Sequence, residues 1–158
     1  MHSVVGDLNE TYEASPRSVA EGRAKLAHLA ANAGATPSQI DAVRLAASEA
    51  MTNAVLHAYG GGPGLIYVNA AVASGELWIL ISDDGCGLRP RTDRSGLGLG
   101  LGLISEVSDD FAIVSRATGG TEVRIRFSLV TDHAPARGER VVSGNGRRTG
   151  FSPSMSVA

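Results

Sequence analysis

The chain has 158 residues and a hydrophobic fraction of 43%, with a mean hydropathy of +0.04, enough for one domain that buries its own core without disulfides or structural metals. A formal charge of -2 and an isoelectric point near 6.1 argue against a nucleic-acid binder, which carries a clustered basic excess, and leave proteins and small molecules as the expected partners. No apolar run approaches the roughly 20 residues that span a bilayer, and Met1-His2-Ser3-Val4-Val5-Gly6-Asp7 lacks the charged-then-apolar pattern of a signal peptide, so a cytoplasmic protein is expected.

In chain order, residues 7–14 (DLNETYEA) alternate weakly, with Leu8 and Tyr12 on one side of a first strand expected at a sheet edge. Ser15-Pro16 reads as a capping serine with proline in the first turn, and Val19, Leu26, Leu29 and Ala30 continue at helical spacing to Asn32-Ala33-Gly34. Thr36 with Gln39 three residues on is a capping box. It opens a second helix through Ile40, Val43, Ala47, Ala50, Met51, Ala54 and Leu56 to about Ala58. Gly60-Gly61-Gly62-Pro63-Gly64 breaks that helix. A strand over 65–72 follows, then a hairpin connection at Ala73-Ser74-Gly75, and a strand over 76–82 that delivers Asp83. Residues 88–95 (LRPRTDRS) are polar and arginine-bearing, a short connection beside the glycines. Leu101, Leu103, Ile104 and Val107 form a third helix ending near Ser108-Asp109-Asp110. Residues 111–117, the turn Thr118-Gly119-Gly120 and residues 121–129 form a last hairpin with Val123, Ile125 and Phe127 inward. The domain is expected over 7–130, and 131–158, with its prolines, glycines and few large apolar residues, as a disordered tail. The order β-α-α-β-β-α-β-β predicts an α+β two-layer sandwich, helices on one face of a mostly antiparallel sheet.

Two glycine-rich segments stand at element boundaries, Asp83-Asp84-Gly85-Cys86-Gly87 and Ser95-Gly96-Leu97-Gly98-Leu99-Gly100-Leu101-Gly102. Glycine loses the most freedom on folding, and a concentration of it before a helix suits phosphate. Lys25 is the only lysine and lies in no glycine loop, which excludes a Walker A motif. A Rossmann fingerprint needs glycines at i, i+2 and i+5 after a strand; counting from Gly96 and Gly98, the last position holds Leu101 and Leu103. Cys86 alone supports neither a disulfide framework nor a cysteine zinc site; it reads as a small residue between two glycines, a reactive thiol being the alternative. On helix two, Glu49, Asn53 and His57 follow at i, i+4, i+8 and share a face. Either that face is merely solvated, or the amide holds Mg²⁺ with phosphates and water while the carboxylate orients or deprotonates an attacking hydroxyl.

Together, residues 49–58 (EAMTNAVLHA), Asp83-x-Gly85-x-Gly87, Gly96-Leu97-Gly98-Leu99-Gly100-Leu101 and Gly119-Gly120-Thr121 resemble the four ATP-binding boxes of the GHKL superfamily of gyrase, histidine kinases and related ATPases. The likeness covers about residues 9–129. The helix pair before the asparagine box and the lack of a phosphoacceptor hairpin make the chain similar to the anti-sigma factor serine kinases of bacteria. That resemblance implies the Bergerat ATP-binding fold, ATP and Mg²⁺ as cofactors, an anti-anti-sigma (STAS-type) protein and a sigma factor as partners, and a homodimer. It also implies roles at matching positions: Asn53 holding Mg²⁺, Glu49 as general base on a substrate serine, and Asp83 bonded to the adenine amino group. Gly85 and Gly87 would meet the base, Gly96, Gly98, Leu99, Gly100 and Leu101 would wrap the phosphates, and Thr121 would lie near the adenine. His57 is expected to pack rather than carry phosphate, and Arg89, Arg91 and Arg94 belong to a lid that is short beside that of longer relatives. An ATP-gated interaction module without phosphotransfer is the alternative function, and a fragment similar to a histidine kinase catalytic domain a third.

Overall fold

A computed structural model describes residues 6–86 and 99–129. The arginine-bearing connection, Gly87, Gly96, Gly98 and the tail expected over 131–158 lie outside the described residues.

Strand β1 (Gly6–Glu13) is followed by helix α1 (Pro16–Asn32) and helix α2 (Pro37–Asn53). Both helices begin as their sequences dictate. The Ser15 hydroxyl accepts from the Ser18 N–H at 3.2 Å, and the Thr36 box is complete, Gln39 N–H donating to Thr36 Oγ1 at 3.2 Å while Thr36 N–H donates to Gln39 Oε1 at 3.0 Å. Strands β2 (Leu65–Ala73) and β3 (Glu76–Asp83), helix α3 (Leu99–Val107), and strands β4 (Asp110–Ser115) and β5 (Thr121–Ser128) complete the order. The β2–β3 connection places Ser74 and Gly75 at φ 53° and 75°, the two positive-φ positions that a tight hairpin with strand-matched twist requires.

The strands form one 5-stranded sheet in the order β1-β2-β3-β5-β4, every pairing antiparallel. Strand β1 takes the edge position expected of it. Alternation decides the faces: Ile66, Val68, Leu77, Ile79, Ile81, Val123, Ile125 and Phe127 are buried in one cluster with Leu26, Val43, Ala47, Met51 and Ile104 of the helices. On the opposite face, Trp78 is 41% exposed. Gly22 of α1 explains how closely α1 approaches α2 within the helix layer, since a Cβ there would fall 2.5 Å from Met51 Sδ.

One expectation is corrected. The second helix was expected to run unbroken to about Ala58, but α-helical bonding ends at Asn53 and residues Ala54–Ala58 form a π-helical turn. Widening the turn keeps Ala54 and Val55 buried while exposing Leu56 and His57. It also turns the Ala58 carbonyl toward the loop after β3, where the Cys86 N–H donates to it at 3.3 Å. Single π-turns inserted in helices concentrate at functional sites.

Candidate functional site

Asp83 ends β3 and is only 7% exposed. Buried carboxylates need donors, and Oδ1 has two, the Gly85 N–H at 2.9 Å and the Thr121 N–H at 3.3 Å. No described residue donates to the second oxygen. Burial pushes the Asp83 pKa above the usual carboxylate range; the two backbone donors oppose the rise, Asp84 adds to it, and the Arg116 cation lowers it. The chain thus keeps a buried acid with one oxygen anchored and one that no described residue engages.

Strand pairing builds this anchor. Ser82 of β3 stands opposite Glu122 of β5, so the end of one strand meets the beginning of the other, and Thr121, itself 8% exposed, falls beside Asp83. Two glycines make the approach possible. A Cβ on Gly85 would fall 2.4 Å from the Ala58 carbonyl oxygen, and one on Gly120 only 1.9 Å from the Asp83 carbonyl oxygen. Gly120 also holds φ 86°, a region that side chains rarely tolerate.

Around this turn lies a polar network. Arg116 Nη1 donates to the Asp83 carbonyl at 2.9 Å and to Asp84 Oδ1 at 2.6 Å, and its guanidinium sits 5.5 Å from the Tyr67 ring centroid. The Tyr67 hydroxyl donates to Asp84 Oδ2 at 2.6 Å. The Asp84 N–H donates to the Tyr59 hydroxyl at 2.7 Å, and that hydroxyl donates to the Leu65 carbonyl at 2.6 Å.

Helix α2 supplies the other side chains. Glu49 and Asn53 are half-buried and one turn apart. The Nδ2 atom of Asn53 is buried without a hydrogen-bond partner, an expense that a ligand acceptor would relieve; with the amide turned, its oxygen meets a cation in the same place. Helix α3 begins against Glu49, and a Cβ on Gly100 would lie 2.1 Å from Glu49 Oε2. The N–H groups of the first α3 turn have no helical partners and carry the positive end of the helix dipole.

Of the residues chosen from sequence, Asp83, Gly85 and Thr121 meet at the strand ends and Glu49 meets Gly100. Leu99 opens α3. The Leu101 side chain, 8% exposed, belongs to the core, so only its backbone is left for a ligand. His57 is exposed on the π-turn, and its carbonyl accepts from Cys86 Sγ at 3.6 Å. Sequence reasoning missed the Tyr59–Tyr67–Asp84–Arg116 network, whose members lie in four separate parts of the chain and carry no shared local signal. Among the described residues, no three His, Cys, Asp or Glu side chains converge on a metal position, and no helix is long and apolar enough to cross a membrane.

A cradle of this kind, set between two antiparallel strand ends and the helix layer above them, marks a two-layer α+β ATPase fold. The chain belongs to the family described as "Histidine kinase-like ATPase domain", which matches residues 12–127. It is similar to the anti-sigma F factor of Clostridium acetobutylicum, 30% identical over 125 residues that cover 70% of this chain and 86% of the relative. The anti-sigma F factor of Halalkalibacterium halodurans is 25% identical over 142 residues, covering 81% and 96%. Among solved structures, the blue-light activated histidine kinase of Erythrobacter litoralis EL346 aligns with a TM-score of 0.48 at 21% identity, covering 72% of this chain; this chain spans 44% of that one.

Proposed function

We propose that the chain binds Mg-ATP and acts as an anti-sigma regulatory factor, a serine/threonine protein kinase that phosphorylates an anti-anti-sigma (STAS-type) partner and otherwise sequesters a sigma factor in the cytoplasm. The regulatory part is supported by the relatives, named anti-sigma F factors at 22% to 30% identity. The kinase part is carried by one observation: the Glu49 carboxylate lies against Gly100 at the start of α3 and one helical turn from Asn53. There the carboxylate stands beside the amide assigned to the cation, placed to accept a hydroxyl proton.

The residues fit the nucleotide. The unanchored oxygen of Asp83 would accept from the adenine amino group, with Gly85 and Gly120 letting the neighbouring backbone pack closely enough to hold that carboxylate in place. The free N–H groups at the start of α3, with the glycine segment 96–102, would face the phosphates. Asn53 would hold Mg²⁺ through its amide oxygen together with oxygens of the phosphates and water, so no three-acid cluster is needed. When bound, the ion neutralises charge on the β- and γ-phosphates. Glu49 would take the proton of the partner's serine hydroxyl as that oxygen bonds to the γ-phosphorus; the bond from phosphorus to the bridging oxygen breaks, ADP leaves, and the proton rests on Glu49. A homodimer is part of the proposal, checked by light scattering during size exclusion. The direct experiment is label transfer from γ-labelled ATP to candidate partners. Loss of label in Glu49→Gln with ATP binding intact supports the reading; undiminished transfer removes Glu49 as the base.

A further inference from the structure

We propose that Arg116 is a positioning residue for base selection: by fixing the Asp83–Asp84 peptide, it aims the Asp83 carboxylate so that the site prefers an adenine over a base bearing a carbonyl at the same position. The inference rests on the reading of Asp83 as the adenine acceptor.

Both polar ends of that one peptide unit are held by side chains. Its carbonyl accepts from Arg116 Nη1 at 2.9 Å, and its N–H donates to Tyr59 Oη at 2.7 Å. Gly120 closes the remaining direction, since even a methyl group there would fall 1.9 Å from the same carbonyl oxygen. Arg116 is the hub because the same nitrogen also holds Asp84 Oδ1 at 2.6 Å, while Tyr67 holds Oδ2 at 2.6 Å and lies beneath the guanidinium. An isolated exposed ion pair contributes little. This one differs, as its cation, 29% exposed, bonds the backbone of the recognition residue itself. The carboxylate follows the backbone that carries it, and a hydrogen-bonding site discriminates only while its buried acceptor points at the substrate's donor.

The test compares ATP with inosine triphosphate, whose base carries an oxygen in place of the amino group, by calorimetric dissociation constants. Arg116→Ala is expected to lower the ATP-over-inosine preference about tenfold, the loss of one charge-assisted hydrogen bond, and Arg116→Lys, which keeps the cation without the planar fork, to fall between. A purely structural defect would weaken both nucleotides alike and leave their ratio at the wild-type value; that result overturns the proposal. Should Arg116→Ala fail to fold, Tyr59→Phe removes only the hydroxyl at the other end of the peptide and must lower the same ratio, an unchanged ratio again overturning it. Asp83→Asn separates the two readings. If it leaves the preference intact, the adenine assignment of Asp83 falls and this proposal with it; if it abolishes the preference while Arg116→Ala keeps it, only the role of Arg116 falls.

Discussion

Replacing Asp83 by asparagine tests the site at its most buried polar group. Asn Oδ1 retains the anchors from Gly85 and Thr121, at 2.9 and 3.3 Å in the native site, and changes only the atom left for the ligand, from a charged acceptor to an NH₂ donor. A hydrogen bond to a charged group contributes about 1.5–3 kcal/mol, so the ATP dissociation constant should rise about tenfold to a hundredfold. Inosine triphosphate, which presents an acceptor, should gain on ATP or overtake it. Stability should move the other way. Asp83 has a folded-state pKa raised above 3.8, mainly by burial. Its contribution is therefore favourable below the unfolded value and lost as pH rises through the folded one, leaving the full cost at neutral pH. Asp83→Asn removes that cost, and the melting temperature of the nucleotide-free protein at pH 7 should be equal or higher. Calorimetry with both nucleotides and thermal melts at pH 4 and 7 read the outcome. Equal losses for both nucleotides, or a collapse of the melting temperature, would refute the reasoning.

Three other perturbations separate fold from site. Gly100→Ala should keep or slightly raise stability, because alanine loses less backbone freedom than glycine in a helical turn, yet its methyl group must push the Glu49 carboxylate aside from a 2.1 Å approach; phosphotransfer should drop more than ATP affinity, measured side by side. Gly120→Ala meets both a positive φ of 86° and the Asp83 backbone, and should lower the denaturant midpoint by an amount equivalent to about 1–3 kcal/mol while abolishing ATP binding. Ile79, fully buried in the central strand β3, should cost about 2–5 kcal/mol on truncation to alanine, with ATP affinity of the folded fraction unchanged.

Much of the fold is legible because local rules and the global arrangement agree. The Ser15 and Thr36 caps, the Ser74-Gly75 turn and the alternation of Val123, Ile125 and Phe127 each state their conformation within a few residues. The π-turn over Ala54–Ala58 is not legible, since its residues continue the apolar spacing of α2 and only the loop docking on Ala58 reveals the changed winding. The Arg116 network is hidden for another reason. Its members come from the π-turn's end, from β2, from the loop after β3 and from the β4–β5 turn, and nothing local in the chain marks which of several arginines faces that loop. Asp83 could be chosen from its place before the glycines; that one of its oxygens is anchored and the other open follows only from the strand register.

The measurement that bears most directly on the proposed activity is transfer of label from γ-labelled ATP in the presence of Mg²⁺ to a serine of a STAS-type partner, run for the wild type and Glu49→Gln with ATP affinity measured on the same samples. The wild type should label the partner, and Glu49→Gln should bind ATP as well while labelling it about a hundredfold or more slowly, the usual contribution of a general base. Wild-type protein that binds Mg-ATP and its partners but never labels one, or a Glu49→Gln variant as fast as wild type, would contradict it.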